Sequence, residues 1–121
     1  MILRAGLVAA LLALPVQAQE QEDAVSGKGA ILRGLDKVNG QTVDVTIDSN
    51  AQAAVFGLEV ALVDCRYPPE DPTGDAFAYL IIREPDTEAA LFAGWMIASS
   101  PALNALDHSR YDVWVLRCIT S

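Results

Sequence analysis

The chain has 121 residues, with 8 lysines and arginines against 16 aspartates and glutamates, and a net charge of −8. Such a charge repels nucleic acid and anionic lipid headgroups, and no cluster of basic residues overrides it locally. We therefore expect neither a nucleic-acid partner nor binding to a membrane surface. A chain of this length forms one domain around a single modest core.

The first 18 residues have the pattern of a cleavable secretory signal peptide. Arg4 precedes an apolar run from residue 5 to residue 16, and small residues stand at Val16 and Ala18, the −3 and −1 positions. The apolar run is shorter than the roughly 20 residues that span a bilayer. We expect cleavage after Ala18, export to the periplasm and no membrane insertion of the mature chain. Loss of Arg4 changes the net charge from −8 to −9.

The mature chain divides into a flexible polar segment, residues 19–28, and a single β-domain, residues 29–121. Two cysteines remain, Cys65 and Cys118, in a compartment that oxidises thiols. The simplest interpretation is one structural disulfide between them. The alternative, two reactive thiols, usually appears as a C-x-x-C pair, which this sequence lacks.

The domain shows short apolar or alternating segments separated by turn signals, the pattern of strands. The predicted strands are 30–35, 42–47, a short one at 53–56, 58–66, 76–83, 91–98 and 111–119. Asn39-Gly40 predicts a type I′ hairpin turn between the first two, since both residues tolerate positive φ. Three prolines and a glycine make residues 67–75 the longest loop.

One short helix is predicted over residues 100–106, before the last strand. Ser100 is a favourable N-cap, Pro101 fits the first helical position, and Leu103 and Leu106 would share an apolar face. Together these elements predict an all-β fold. The fold class is a small antiparallel β-sandwich or a partly closed barrel with one short helix.

A hydrolase would have to use His108, the single histidine, with Ser100 or Asp107. Sequence neighbours at a helix end point in different directions, and no G-x-S-x-G motif is present. The structural alternative is a histidine at a helix terminus or on the surface, where its cation would be favoured by the helix dipole. We predict no catalytic residues.

Metal binding has little support in the sequence. One histidine and two distant cysteines do not supply the paired ligands of a zinc site. Glu70, Asp71 and Asp75 crowd one loop and leave calcium as an alternative to a solvated loop, although their spacing does not match an EF-hand. We predict no metal and no cofactor.

Aromatic residues offer two interpretations. Trp95 and Trp114 lie within apolar strands, which favours burial in the core. If they are exposed, they could form with Tyr79 and Tyr111 a stacking platform for sugar or peptide. The candidate binding surface is therefore Trp95, Trp114, Tyr111 and His108.

The sequence also resembles a known family, most specifically at three motifs. These are Gly94-Trp95-Met96, Ala98-Ser99-Ser100-Pro101-Ala102-Leu103 and Tyr111-Asp112-Val113-Trp114-Val115-Leu116. They resemble a family of small exported proteins from Gram-negative bacteria that is catalogued only as a domain of unknown function. Cys65 and Cys118 fall where the resembling proteins carry their cysteines, which supports the disulfide. The resemblance implies a compartment and a fold, and it assigns no activity.

Three function hypotheses follow. The leading one is a non-enzymatic, periplasmic protein-interaction module that binds an envelope protein during envelope assembly or upkeep, because the acidic surface could meet a basic patch. The alternative is a small-ligand domain that binds a glycan or peptide. A hydrolase using His108 is the third hypothesis.

Overall fold

The computed structural model describes residues 24–120, and the predicted signal peptide lies outside them. Eight strands form in chain order. They are β1 (Val25–Ser26), β2 (Gly29–Asp36), β3 (Thr42–Asp48), β4 (Ala51–Val55), β5 (Leu58–Tyr67), β6 (Phe77–Arg83), β7 (Ala90–Ile97) and β8 (Tyr111–Ile119). These described residues contain no helix, and thus no helix long and apolar enough to cross a membrane.

The strands form two antiparallel sheets. The larger sheet has the order β1-β5-β6-β7, and β4 pairs with the same edge of β5 as β1 does. The smaller sheet has the order β3-β2-β8. β8 contacts strands of both sheets, and neither sheet closes on itself. The predicted all-β sandwich is confirmed, and the partly closed barrel is not formed.

The core lies between the two sheets and follows from the alternation of the strands. In β6, Ala78, Leu80 and Ile82 are fully buried while their neighbours are half-buried. β2 contributes Ala30 and Leu32 from the opposite side, both fully buried. Successive side chains of a strand point to opposite faces, so each sheet has one face in the core and one facing outward.

The predicted disulfide is confirmed, and it joins the two sheets. Cys65 of β5 and Cys118 of β8 have their Cα atoms 5.6 Å apart, a normal separation for a disulfide. Both residues are buried. The bond therefore ties the central strand of the larger sheet to an edge strand of the smaller one, through the core.

Ordered structure begins before the predicted domain start at residue 29. Within the segment predicted to be flexible, Val25 and Ser26 pair with Tyr67 and Arg66 of β5. The Arg66 side chain also donates to the Ala24 carbonyl at 2.8 Å. Backbone pairing with an existing strand orders residues whose own sequence has no strand pattern.

The β2–β3 hairpin is confirmed, but its turn type differs from the prediction. Positive φ occurs at Gly40 (79°) and not at Asn39, whereas a type I′ turn requires both. The loop is longer, since the Asp36 N–H donates to the Gln41 carbonyl and Gly40 N–H donates to the Asp36 carbonyl. The Asp36 carboxylate also accepts the Val38 N–H at 3.0 Å. These local bonds outweigh the intrinsic preference of Asn-Gly.

The predicted helix over residues 100–106 is wrong. The segment between β7 and β8 is an irregular loop in which Leu106 is buried, at 6% exposure, while Leu103 is 69% exposed. The two leucines therefore do not share a face. A helix of six or seven residues is marginal without tertiary contacts. Here Leu106 inserts into the core, and the Asn104 side chain donates to the Trp95 carbonyl at 2.9 Å, so these contacts determine the path instead.

Candidate functional site

The outward surface of the larger sheet is apolar along β6 and β7. On β5, exposed Val63 stands beside Asp64 and Arg66, which pair with Tyr79 and Phe77. We call the apolar surface the Trp95 face, and it comprises Val63, Phe77, Tyr79, Ile81, Ala93, Trp95 and Ile97. Val63 and Trp95 are 42% and 41% exposed, and Ala93 is also exposed. Polar residues usually occupy the solvent side of an antiparallel sheet. The outward faces of β6 and β7 depart from this pattern.

Trp95 and Tyr79 form the centre of this face. They are direct cross-strand partners on β7 and β6, and their rings meet edge to face, with centroids 5.3 Å apart and an interplanar angle of 81°. This geometry is favourable for aromatic pairs and restricts ring motion. The pair forms a partly exposed aromatic ridge on the outward face of β6 and β7.

An acidic notch of about 630 Å³ adjoins the face where β6 turns into β7. It is lined by Glu59, Arg83, Asp86, Thr87 and Glu88. Three carboxylates surround one guanidinium, so the notch carries net negative charge. Glu59 and Arg83 are cross-strand partners at the end of the larger sheet.

Trp114 lies on a different surface. It pairs with Arg33 on the outward side of the smaller sheet, where it is half-buried and packs against the core cluster. Pro101, Ala102 and Ala105 of the β7–β8 loop form with it a groove of about 360 Å³. The loop thus covers one side of this tryptophan and leaves the other on the surface.

His108 and Tyr111 lie together in a third place, beside the β4–β5 turn. The Tyr111 ring stacks on His108 at 5.3 Å and on Phe56 at 5.5 Å. Phe56 has a φ of 55°, which is rare for a bulky residue. The following residue, Gly57, lies so close that an added Cβ would be 3.3 Å from the Tyr111 hydroxyl. We call this stack of three rings the His108 corner.

The hydrogen bonds of His108 indicate which ring nitrogen accepts and which donates, and they connect the side chain to the backbone. Its Nδ1 accepts the backbone N–H groups of both Arg110 and Tyr111 at 3.0 Å, so this nitrogen carries no proton. The proton is then on Nε2, which donates to Glu84 at 3.3 Å. None of these partners is a hydroxyl. Ser99, which is close to His108 in the sequence, donates its hydroxyl to the Asp75 carboxylate at 2.8 Å.

An ion pair between Asp36 and Arg110 lies next to the His108 corner. Asp36 is 3% exposed. Its carboxylate accepts hydrogen bonds from two guanidinium nitrogens of Arg110, the shorter one being 2.9 Å. These bonds hold the pKa of Asp36 below its ordinary value of 3.8, with help from the Val38 N–H and against the opposing effect of desolvation. The pair fixes Arg110 beside the Tyr111 ring, 5.3 Å from its centroid.

We expect Asp36→Asn to destabilise the protein at pH 7 and to destabilise it less at pH 3. Because the pKa of native Asp36 is lowered, its contribution is complete above 3.8 and is lost as pH falls through the native pKa. Urea unfolding of the wild-type protein and of Asp36→Asn at the two pH values measures the difference in their free energies of unfolding. Asp44→Asn is the control, since the Arg33–Asp44 pair is exposed and its loss should cost less. A difference in the free energy of unfolding that stays constant down to pH 3 would contradict the lowered pKa of Asp36.

The loop considered for calcium is organised by its own contacts. Asp75 accepts the Ala76 N–H at 2.8 Å and both the N–H and the hydroxyl of Ser99. This carboxylate thus joins the start of β6 to the end of β7. Across residues 24–120, no group of three or more histidine, cysteine or acidic side chains is arranged to hold a metal ion.

The candidate surface residues are therefore divided among three places. Trp95 is on the larger sheet, Trp114 on the smaller sheet, and Tyr111 with His108 in the His108 corner. The interpretation of Trp95 as a core residue is wrong, because β7 directs its side chain away from the core. The contributions of Phe77 and Ile81 to an outward face were missed, since β6 is apolar on both sides and its sequence does not distinguish them. The Asp36–Arg110 pair has a separation of 74 positions and left no sequence signal.

Comparison with known proteins gives one match. The family model described as "Uncharacterized protein conserved in bacteria (DUF2155)" matches residues 30–118, which include β3 to β7, all but one residue each of β2 and β8, and both cysteines. No curated protein and no solved structure matches the chain. The resemblance to a domain of unknown function is confirmed, and the chain belongs to the DUF2155 family of uncharacterised bacterial proteins.

Proposed function

We propose that this chain is a non-enzymatic binding domain that docks a segment of a partner protein on the Trp95 face. The observation that carries the proposal is the contiguous apolar surface around the Tyr79–Trp95 pair, with Val63 and Trp95 each about two-fifths exposed. Exposed tryptophan and tyrosine on a rigid support are typical anchors of protein interfaces. An open sheet surface suits a polypeptide better than it suits a small molecule, which usually binds in a concave pocket.

The negative charge of the chain favours a partner that carries basic residues next to the residues that contact the Trp95 face. The chain has 16 acidic against 8 basic residues, and the acidic notch borders the Trp95 face. Opposite charge next to an apolar centre speeds association and sets orientation. We therefore expect the partner to present apolar residues flanked by lysine or arginine.

We place the protein in the periplasm, where an envelope protein is the expected partner in envelope assembly or upkeep. The signal-peptide pattern of residues 1–18 supports this location, and a buried disulfide is common in proteins of an oxidising compartment. A fusion of residues 1–28 to a reporter that folds only after export tests the location. Retention of the reporter in the cytoplasm would contradict it.

Site-specific photocrosslinking in living cells tests the docking surface. A photoreactive residue at position 95 is expected to give a discrete adduct, whereas one at position 46, exposed on the outward side of the smaller sheet, is not. Ile81→Lys should lower the adduct yield at position 95 by about tenfold, since it places a charge in the apolar face. Equal adducts from positions 95 and 46, or an adduct insensitive to Ile81→Lys, would contradict the proposal.

Glycan binding is the second candidate, supported by the same aromatic pair. Sugar rings stack on exposed tryptophan, and Trp95 meets that requirement with its 41% exposure. The Trp114→Phe variant would leave Trp95 as the single tryptophan for fluorescence titration with peptidoglycan fragments. Saturable quenching of Trp95 in this variant, with no quenching of the Trp114 fluorescence in Trp95→Ala, would favour this candidate over a protein partner.

A further inference from the structure

Strand β7 is the edge of the larger sheet, and the surrounding hydrogen bonds show where its backbone groups point. Ala98 N–H donates to the Ala76 carbonyl, which lies on the β6 side. The Trp95 carbonyl instead accepts the Asn104 side chain, so it points away from β6. Because the residues of an antiparallel strand alternate in direction, Ala93 shares the orientation of Trp95.

Part of the β7 edge carries backbone groups that have no hydrogen-bond partner among residues 24–120. Among residues 24–120, no hydrogen bond reaches the N–H or carbonyl of Ala93 or the N–H of Trp95. Both residues are exposed. Asn104 closes the edge at the Trp95 carbonyl, so the free stretch runs from the Trp95 N–H toward the acidic notch. An accessible strand edge of this kind pairs readily with another extended chain.

We propose that β7 binds an extended segment of a partner by strand addition along Ala93 and Trp95. This inference rests on the proposed docking function and specifies how the partner is held. The added backbone would bond both groups of Ala93 and the N–H of Trp95. Its residue opposite Ala93 would then lie on the Trp95 face, because paired residues project to the same side of a sheet. An apolar side chain at that position contacts the Trp95 ring.

The acidic notch defines a second position of the partner segment. Residues two apart on a strand lie on the same face, about 7 Å from each other. The partner residue two positions from the apolar one, in the direction of Ala90, therefore lies near the β6–β7 turn, which carries the notch residues Asp86 and Glu88. A lysine or arginine is suited to this site. The recognised segment has an apolar residue and a basic residue separated by one position.

The test uses the folded protein labelled with ¹⁵N and a short peptide of alternating valine and threonine, with one lysine two positions from the central valine. We expect fast-exchange shifts concentrated at the amides of Ala93, Trp95 and the notch residues. Replacing lysine by glutamate in the peptide should weaken binding by about tenfold at low salt. No binding by the lysine peptide at millimolar concentration would overturn the inference.

Two modifications isolate the backbone pairing. Ala93→Pro removes an N–H that does not bond β6, a position at which an edge strand tolerates proline, and should weaken binding by about tenfold. N-methylation of the peptide amides that face β7 should have the same effect and alters no residue of the protein, so it remains informative if Ala93→Pro fails to fold. Binding that survives N-methylation but is lost in Trp95→Ala would overturn strand addition and leave the Trp95 face as the docking surface. Loss of binding with Ala93→Pro, with the N-methylated peptide and with Trp95→Ala supports the inference.

Discussion

Replacing Cys65 and Cys118 together with alanine is expected to lower the free energy of unfolding by about 4 kcal/mol. The bond joins residues 53 positions apart, and the chain-entropy model attributes roughly this value to closing such a loop in the unfolded chain. Small domains are stable by about 5–15 kcal/mol, so the change removes a large share of the total. The bond also links the two sheets through the core, which makes the sandwich sensitive to its loss.

Urea unfolding of the wild-type and doubly substituted proteins measures this difference. Reduction of the wild-type protein with dithiothreitol should shift the urea midpoint in the same direction, and the doubly substituted protein should not respond to the reductant. A loss below about 1 kcal/mol would show that the sheets are held by packing alone and that the crosslink adds little.

Leu106→Ala is expected to cost about 2–5 kcal/mol, the range for removing a leucine side chain from a core. Leu106 is 6% exposed and inserts from the β7–β8 loop into the core. Loss of this contact should also release the loop, so the amide of Leu103, which donates to the Ser100 carbonyl, should exchange faster with solvent.

Leu103→Ala provides a matched control from the same loop. Leu103 is 69% exposed, and its truncation should change stability by less than about 0.5 kcal/mol. The two variants distinguish the observed loop from the predicted helix, in which both leucines would have packed on one face. Similar costs for the two substitutions would contradict the structure of the loop.

The strands were predictable because their signal is local. Alternation of apolar and polar residues located β2, β3, β5 and β8 within one or two residues of their observed ends. The hairpin between β2 and β3 was predictable for the same reason, since adjacent strands with a short connection pair with each other. Its turn type was not, because the Asp36 side chain and backbone bonds around Gly40 selected a longer loop.

The candidate site was only partly predictable. Trp95 was a candidate binding residue, but the sequence favoured its burial over the exposure that the structure shows. An apolar strand at a sheet edge has the same composition whether its outward face meets solvent or a second layer, and β7 meets no second layer among residues 24–120. Asn104, which ends the free edge of β7, gave no signal, because its role depends on the carbonyl that the fold places beside it.

By itself, the sequence determined the all-β class, the strand segments, the acidic charge and the pairing of the two cysteines, properties that depend on composition, short-range periodicity and the number of thiols. The tertiary structure alone decided that the β7–β8 segment is a loop and that Trp95, Trp114 and His108 lie on separate surfaces. It also decided that Asp36 pairs with Arg110. Each of these depends on which strands become neighbours, and side chains 74 positions apart acquire a common environment only when the sheets assemble.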